Sequence, residues 1–249
     1  MSFAGRVAIV TGGAGYIGST TAKRLAVDGA AVIVSDVNGE LAQSVAEEIV
    51  ADGGEASAIE TDVRSTESIE AMVAWTIGQH GQIDILVTVA GGSARERAST
   101  VHGSSEGVIR QVIEINLLGA IFCCRAVVGH MIERGAGKIV NVASIVALQG
   151  SAGHADYAAA KAGVIAFSKT LAMEVAPGGI NVNCVSPGLV PRPGTRVDHI
   201  PGTNYLGRIA SAESVSSVVS FLASDEADFI VGQNYVVDGG RSLGLKGSR

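Results

Sequence analysis

The sequence predicts a single α/β domain over residues 1–249: a doubly wound parallel sheet of about seven strands with helices on both faces. Three observations carry this prediction. Val- and Ile-rich strand-like runs alternate with helical patterns along the whole chain, glycines punctuate the passage from strand to helix, and no linker, repeat or low-complexity tract divides the 249 residues. Such alternation builds a parallel sheet through right-handed crossovers and places a ligand outside the C-terminal strand ends.

The elements follow in order. A strand at 6–11 runs into Thr11-Gly12-Gly13-Ala14-Gly15-Tyr16-Ile17-Gly18, then a helix over 16–28 closed by Gly29. A glycine turn between strand and helix lets backbone N–H groups and the helix dipole face a pyrophosphate. Gly12, Gly15 and Gly18 are the glycines assigned to that turn, with Tyr16 and Ile17 beside them. The second strand, 31–35, ends at Asp36, eighteen residues after Gly18. A carboxylate there accepts both hydroxyls of an adenine ribose and repels a 2′-phosphate. No Arg or Lys lies beside Asp36 or inside the turn, so NAD is expected rather than NADP. Further strands are expected at 56–60, 84–89, 138–142, 181–185 and 233–237, and further helices at 40–52, 66–80, 105–134, 157–176 and 212–223.

Tyr157-Ala158-Ala159-Ala160-Lys161 places a phenol and an ammonium four residues apart, with Ser144 thirteen residues upstream. Three alanines favour a helix, so the two side chains share a face. An adjacent ammonium favours phenolate and tunes the phenol towards proton exchange with an alcohol or ketone.

Together these residues resemble the short-chain dehydrogenase/reductase family over essentially the whole chain. The likeness includes Asp62-Val63 after the third strand, Ala90-Gly91 after the fourth, Asn116 in the long helix, Pro187-Gly188 after the sixth strand and Val236-Val237-Asp238-Gly239-Gly240 near the end. The resemblance implies a Rossmann-fold oxidoreductase in which Tyr157 exchanges a proton with substrate. Lys161 would lower its pKa and bind the nicotinamide ribose, Ser144 would polarise the carbonyl, and Asn116 would hold a water linking Lys161 to solvent. Pro187 and Gly188 would face the nicotinamide, with Val190 near its carboxamide. Three positions depart from the family pattern: Tyr16 in the glycine turn, Val89 where Asn is usual, and Arg192 where Thr is common.

Composition excludes several other classes. A net charge of −6 offers no basic surface for nucleic acid. No apolar run approaches the ~20 residues that span a bilayer, and the N-terminus lacks a signal-peptide pattern. The three cysteines form neither a disulfide framework nor a zinc spacing, and the five histidines form no ligand cluster. No catalytic metal and a cytoplasmic setting are expected.

The expected activity is the interconversion of a small or medium secondary alcohol and its ketone in a pocket bounded by 92–97, 145–154 and 189–207. Arg95, Arg97, Arg192, Arg196, His154 and His199 are the polar candidates around it. The Gly15-Tyr16 turn keeps a sugar-nucleotide epimerase or dehydratase open as an alternative, although only nine residues follow Gly240. A non-catalytic dinucleotide-binding regulator is the third reading. The mean hydropathy of +0.36 and the apolar surplus on helices 105–134 and 157–176 point to a homo-oligomer, expected as a tetramer.

Overall fold

The computed structural model describes residues 2–92, 99–192, 194 and 204–244. Arg95, Arg97, Arg196 and His199 lie outside them. Seven parallel strands form one sheet in the order β3-β2-β1-β4-β5-β6-β7. They are β1 Val7–Thr11, β2 Ala31–Asp36, β3 Glu55–Glu60, β4 Ile85–Thr88, β5 Gly137–Val142, β6 Ile180–Pro187 and β7 Asn234–Val237. The order reverses between β1 and β4, which opens a crevice at the C-terminal ends of those two strands.

Among the described residues, eight α-helices connect them: α1 Tyr16–Val27, α2 Gly39–Ala51, α3 Thr66–His80, α4 Glu106–Ile113, α5 Gly119–Arg134, α6 Val146–Gln149, α7 Ala155–Val175 and α8 Ala212–Ala223. Strand alternation sorts the core into two layers. Ala8 and Val10 of β1 pack with Leu25 of α1, Ile49 of α2 and Val219 of α8. Val7 and Ile9 of the same strand pack with Met72 of α3, Val127 of α5 and Leu171 of α7. Both faces are therefore buried, and the central strands read as continuous apolar runs.

The long helix expected over 105–134 is not a continuous α-helix. A π-turn at Glu114–Leu118 separates α4 from α5. Its cause is local: the Asn116 amide donates to the Val112 carbonyl at 2.9 Å, inserting a side chain into the helical ladder. By length and composition alone, 106–134 would pass for a membrane span. In the fold its Val112, Cys123, Cys124, Val127 and Met131 are buried against the domain's own core. The short α6 has no counterpart in the sequence expectation.

Candidate active site

The crevice starts at the glycine turn. Gly12 has φ +65° and its backbone runs against β4, so a Cβ there would fall 2.6 Å from the Ala90 nitrogen. A Cβ on Gly18 would collide with the Gly12 carbonyl oxygen, and Gly15 approaches the same oxygen more loosely, at 3.3 Å. Gly13, absent from the sequence expectation, is equally constrained: its Cβ would lie 2.8 Å from the Val10 oxygen and from Val34 Cγ1. Only the doubled glycine at 12–13 hinted at it.

Helix α1 begins at this turn without a side-chain cap and with no acid in its first turn. Asn38, Ser65 and Ser105 cap α2, α3 and α4 with their side chains. The first N–H groups of α1 and its positive dipole end are thus left for an anion. Tyr16 and Ile17 occupy that first turn, half-buried.

Asp36 ends β2 beside the turn. One carboxylate oxygen accepts the Ala14 N–H at 3.0 Å and the other the Asn38 N–H at 3.1 Å. Each oxygen keeps acceptor capacity for a ribose hydroxyl. Asp62 is held by its neighbour Arg64 in an ion pair of 2.6 Å. The hydrogen bond from that guanidinium keeps the carboxyl below the usual range. Val63 is buried against α5, where a Cβ on Gly119 would lie 2.9 Å from Val63 Cγ2. Gly119 is thus a second residue that local sequence does not announce. The crevice so formed suits a dinucleotide: a bare backbone turn, an uncapped helix end and a carboxylate at the end of β2.

Across the crevice, Ser144 follows β5, and α7 carries Tyr157 and Lys161 on one face. Lys161 is buried, 4% exposed, and its Nζ donates to the Val142 carbonyl at 2.8 Å. It lies 6.0 Å from the centre of the Tyr157 ring. Burial depresses the Lys161 ammonium from an ordinary 10.5 to about 8. Burial also pushes the Tyr157 phenol above its ordinary value, and the interaction with the Ser144 hydroxyl draws it back in part. The expected lowering of Tyr157 by Lys161 is therefore not met in this structure. Desolvation outweighs a lysine whose own charge is disfavoured and whose Nζ is committed to a backbone carbonyl.

Asn116 joins the two halves. Its Oδ1 accepts the Gly92 N–H at 2.9 Å, and its amide donates to the Gly92 carbonyl at 2.7 Å and to Val112. A Cβ on Gly91 would strike Asn116 Oδ1 and come within 3.3 Å of Lys161 Nζ. Asn116 thus pins the exit of β4 against the lysine. Ala90 and the half-buried Val89 complete that exit, and Val89 packs on the α1/α8 core layer. Pro187 ends β6. Gly188 donates to the Val237 carbonyl at 2.9 Å and packs against Asp238, leaving no room for a side chain. Val190 is half-buried beside them, Arg192 is exposed, and His154 immediately precedes α7. Among the described residues no cluster of His, Cys, Asp or Glu could hold a metal ion.

Comparison with known proteins agrees with this architecture. The family model described as enoyl-(acyl carrier protein) reductase matches residues 12–242. The BbsD subunit of (2S)-[(R)-hydroxy(phenyl)methyl]succinyl-CoA dehydrogenase from Thauera aromatica is 38% identical, covering 98% of this chain and 99% of the relative. Cyclohexanol dehydrogenase from Acinetobacter sp. (strain SE19) is 38% identical over 95% of each chain. The crystal structure of gox2181 superposes with a TM-score of 0.92 at 34% identity, covering 98% of both chains.

Proposed function

Because the chain belongs to the short-chain dehydrogenase/reductase family of nicotinamide-dinucleotide oxidoreductases, we propose that it interconverts a secondary alcohol and a ketone with NAD. The observation that carries this reading is the convergence of Ser144, Tyr157 and a buried Lys161 on the crevice that opens beside the uncapped end of α1. Bound NAD supplies the acceptor of a hydride from the alcohol carbon, or in its reduced form the donor.

The chain's own residues handle the proton and the charge. Burial keeps Tyr157 protonated at neutral pH, the state that delivers a proton to a ketone oxygen; oxidation requires the phenolate to take the proton from the alcohol. Ser144 donates to the same substrate oxygen and stabilises the charge that develops on it. Lys161, titrating near 8, exchanges a proton in the working range behind Tyr157, while Asn116 fixes Gly91 and Gly92 around it. Asp36 receives the adenine ribose and selects NAD over NADP. Relatives named for cyclohexanol and for a phenyl-bearing succinyl-CoA thioester support a secondary alcohol on a ring or beside an acyl chain.

The test is a screen of cyclic alcohols, 3-hydroxyacyl thioesters and the matching ketones with NAD(H), followed by absorbance of the reduced nicotinamide. Reversible redox turnover is expected. A redox-neutral product, or nucleotide binding with no turnover across the screen, would contradict the reading.

A homo-oligomer, a tetramer in the fullest form, belongs to the same proposal. Val164, Ile165, Leu171 and Val175 of α7 are buried within the subunit, which absorbs much of the helix's apolar surplus. Ala162, Ala166 and Met173 remain exposed on the other side, Met173 at 78%. A second copy would cover that face. Sedimentation equilibrium at micromolar protein is expected to give a mass several times 25.2 kDa; a single species at that mass would exclude the assembly.

A further inference from the structure

In the proposed function Asp36 alone discriminates against a 2′-phosphate. We infer that Glu60 is a second specificity-determining residue, an uncompensated carboxylate at the mouth of the adenine-ribose site that repels any nucleotide bearing a 2′-phosphate. The inference rests on that reading of the nucleotide site and extends it to a residue on a different strand.

Register brings the two acids together. Asp36 and Glu60 are the last residues of neighbouring parallel strands and are paired directly across the ladder. Parallel neighbours lie about 4.8 Å apart, and registered residues point to the same face of the sheet. The Glu60 side chain then reaches over the start of α2. A Cβ on Gly39, the first residue of that helix, would lie 2.9 Å from Glu60 Oε2 and 3.1 Å from Glu60 Cβ. A 2′-phosphate on a ribose held by Asp36 would gain most from this same helix start, whose dipole favours an anion. Glu60 already brings a negative charge to it, and Glu40 adds another in the first turn.

Compensation is missing on the Glu60 side. Asp36 is partly neutralised by the Ala14 and Asn38 N–H groups, whereas the Glu60 side chain makes no hydrogen bond or ion pair among the described residues. Arg64, the nearest cation along the chain, is bound to Asp62 at 2.6 Å. The site therefore presents two carboxylates where a 2′-phosphate would add further negative charge. Removing one acid leaves the other in place. The glycine at 39 admits Glu60 to this position, since any larger residue would displace it.

Two ligands isolate the effect from catalysis: 5′-AMP, which carries the ribose without a 2′-phosphate, and adenosine 2′,5′-bisphosphate, which adds it. Their affinities are measured calorimetrically for the wild type, Glu60→Gln, Glu60→Asp and Asp36→Asn. Glu60→Gln is expected to leave 5′-AMP unchanged and to improve the bisphosphate about threefold to fivefold, the scale of one exposed charge interaction. Glu60→Asp keeps the charge and should stay near wild type, and the gain in Glu60→Gln should fade in 1 M salt. A wild type that discriminates while Glu60→Gln changes neither ligand, or changes both equally, overturns the role of Glu60 and leaves Asp36 as the selector. A wild type that prefers the bisphosphate overturns both this inference and the NAD reading.

Discussion

At the end of β1 the crevice is made of backbone, and at the ends of β4 and β5 it is made of buried side chains. Gly12, Gly13 and Gly18 fold the chain so tightly that a methyl group at any of them meets main-chain atoms. Across the crevice, Lys161 and Asn116 are almost wholly buried, 4% and 1% exposed, with their polar atoms spent on Val142, Val112 and Gly92. The first half works by leaving side chains out, so it tolerates nothing larger than hydrogen. The second half works by placing charge in a poor solvent, so it holds Lys161 near 8 at a cost in stability. In the proposed function, binding and proton transfer therefore fall to separate materials, and each can be damaged without the other.

The largest expected separation comes from the backbone half. Gly18→Ala places a methyl group on the Gly12 oxygen, and overpacking of about 1–3 kcal/mol falls on the nucleotide turn. NAD affinity should drop by up to about a hundredfold, while Lys161 keeps its depressed titration. Calorimetric affinity equal to wild type would show that the turn relaxes and does not hold the nucleotide.

A second effect belongs to the buried half and is read as stability. Lys161 titrates near 8 when folded and near 10.5 when free, so between these values the unfolded chain holds more protons than the native one. Stability contributed by this group must therefore rise with pH across that window. Relative to Lys161→Met, which lacks the group, the wild type should gain about 2 kcal/mol between pH 7.5 and 10, measured by denaturant unfolding. Parallel pH profiles for the two proteins would mean that the lysine is not held in a poor solvent.

The smallest effect tests the ribose position. Asp36→Ala removes charge-assisted acceptors worth about 1.5–3 kcal/mol at full strength; with both oxygens already serving backbone N–H groups, a loss of NAD affinity of about tenfold is expected. NADP affinity should rise or hold. An equal loss for both nucleotides would show a packing role in place of selection.

The contrast also explains what the sequence could disclose. The glycine turn, Asp36, Ser144, Tyr157 and Lys161 were legible because each lies at a fixed offset within one strand-helix passage, and the structure gathers them on one edge of the sheet. Gly13 and Gly119 have tertiary constraints. Each meets a residue from another element, Val34 or Val63, and no local spacing encodes that approach. The π-turn at Asn116 was hidden for a similar reason, since its apolar periodicity matches an ordinary helix and only the bond to Val112 breaks the ladder. The direction of the Tyr157 shift was misread because an i, i+4 spacing fixes a shared face without fixing where Nζ points. Here it points to Val142, and burial decides the phenol.

The central claim is that Tyr157 moves the proton in a hydride transfer while the glycine half holds the nucleotide. Tyr157→Phe tests it most directly, because it removes one hydroxyl and keeps the ring, with NAD affinity measured by calorimetry and turnover by nicotinamide absorbance on a substrate found active with the wild type. The account predicts affinity unchanged and turnover lower by about 10²–10⁴, the range of a general acid–base group. Near-normal turnover under conditions where hydride transfer limits the rate would contradict it.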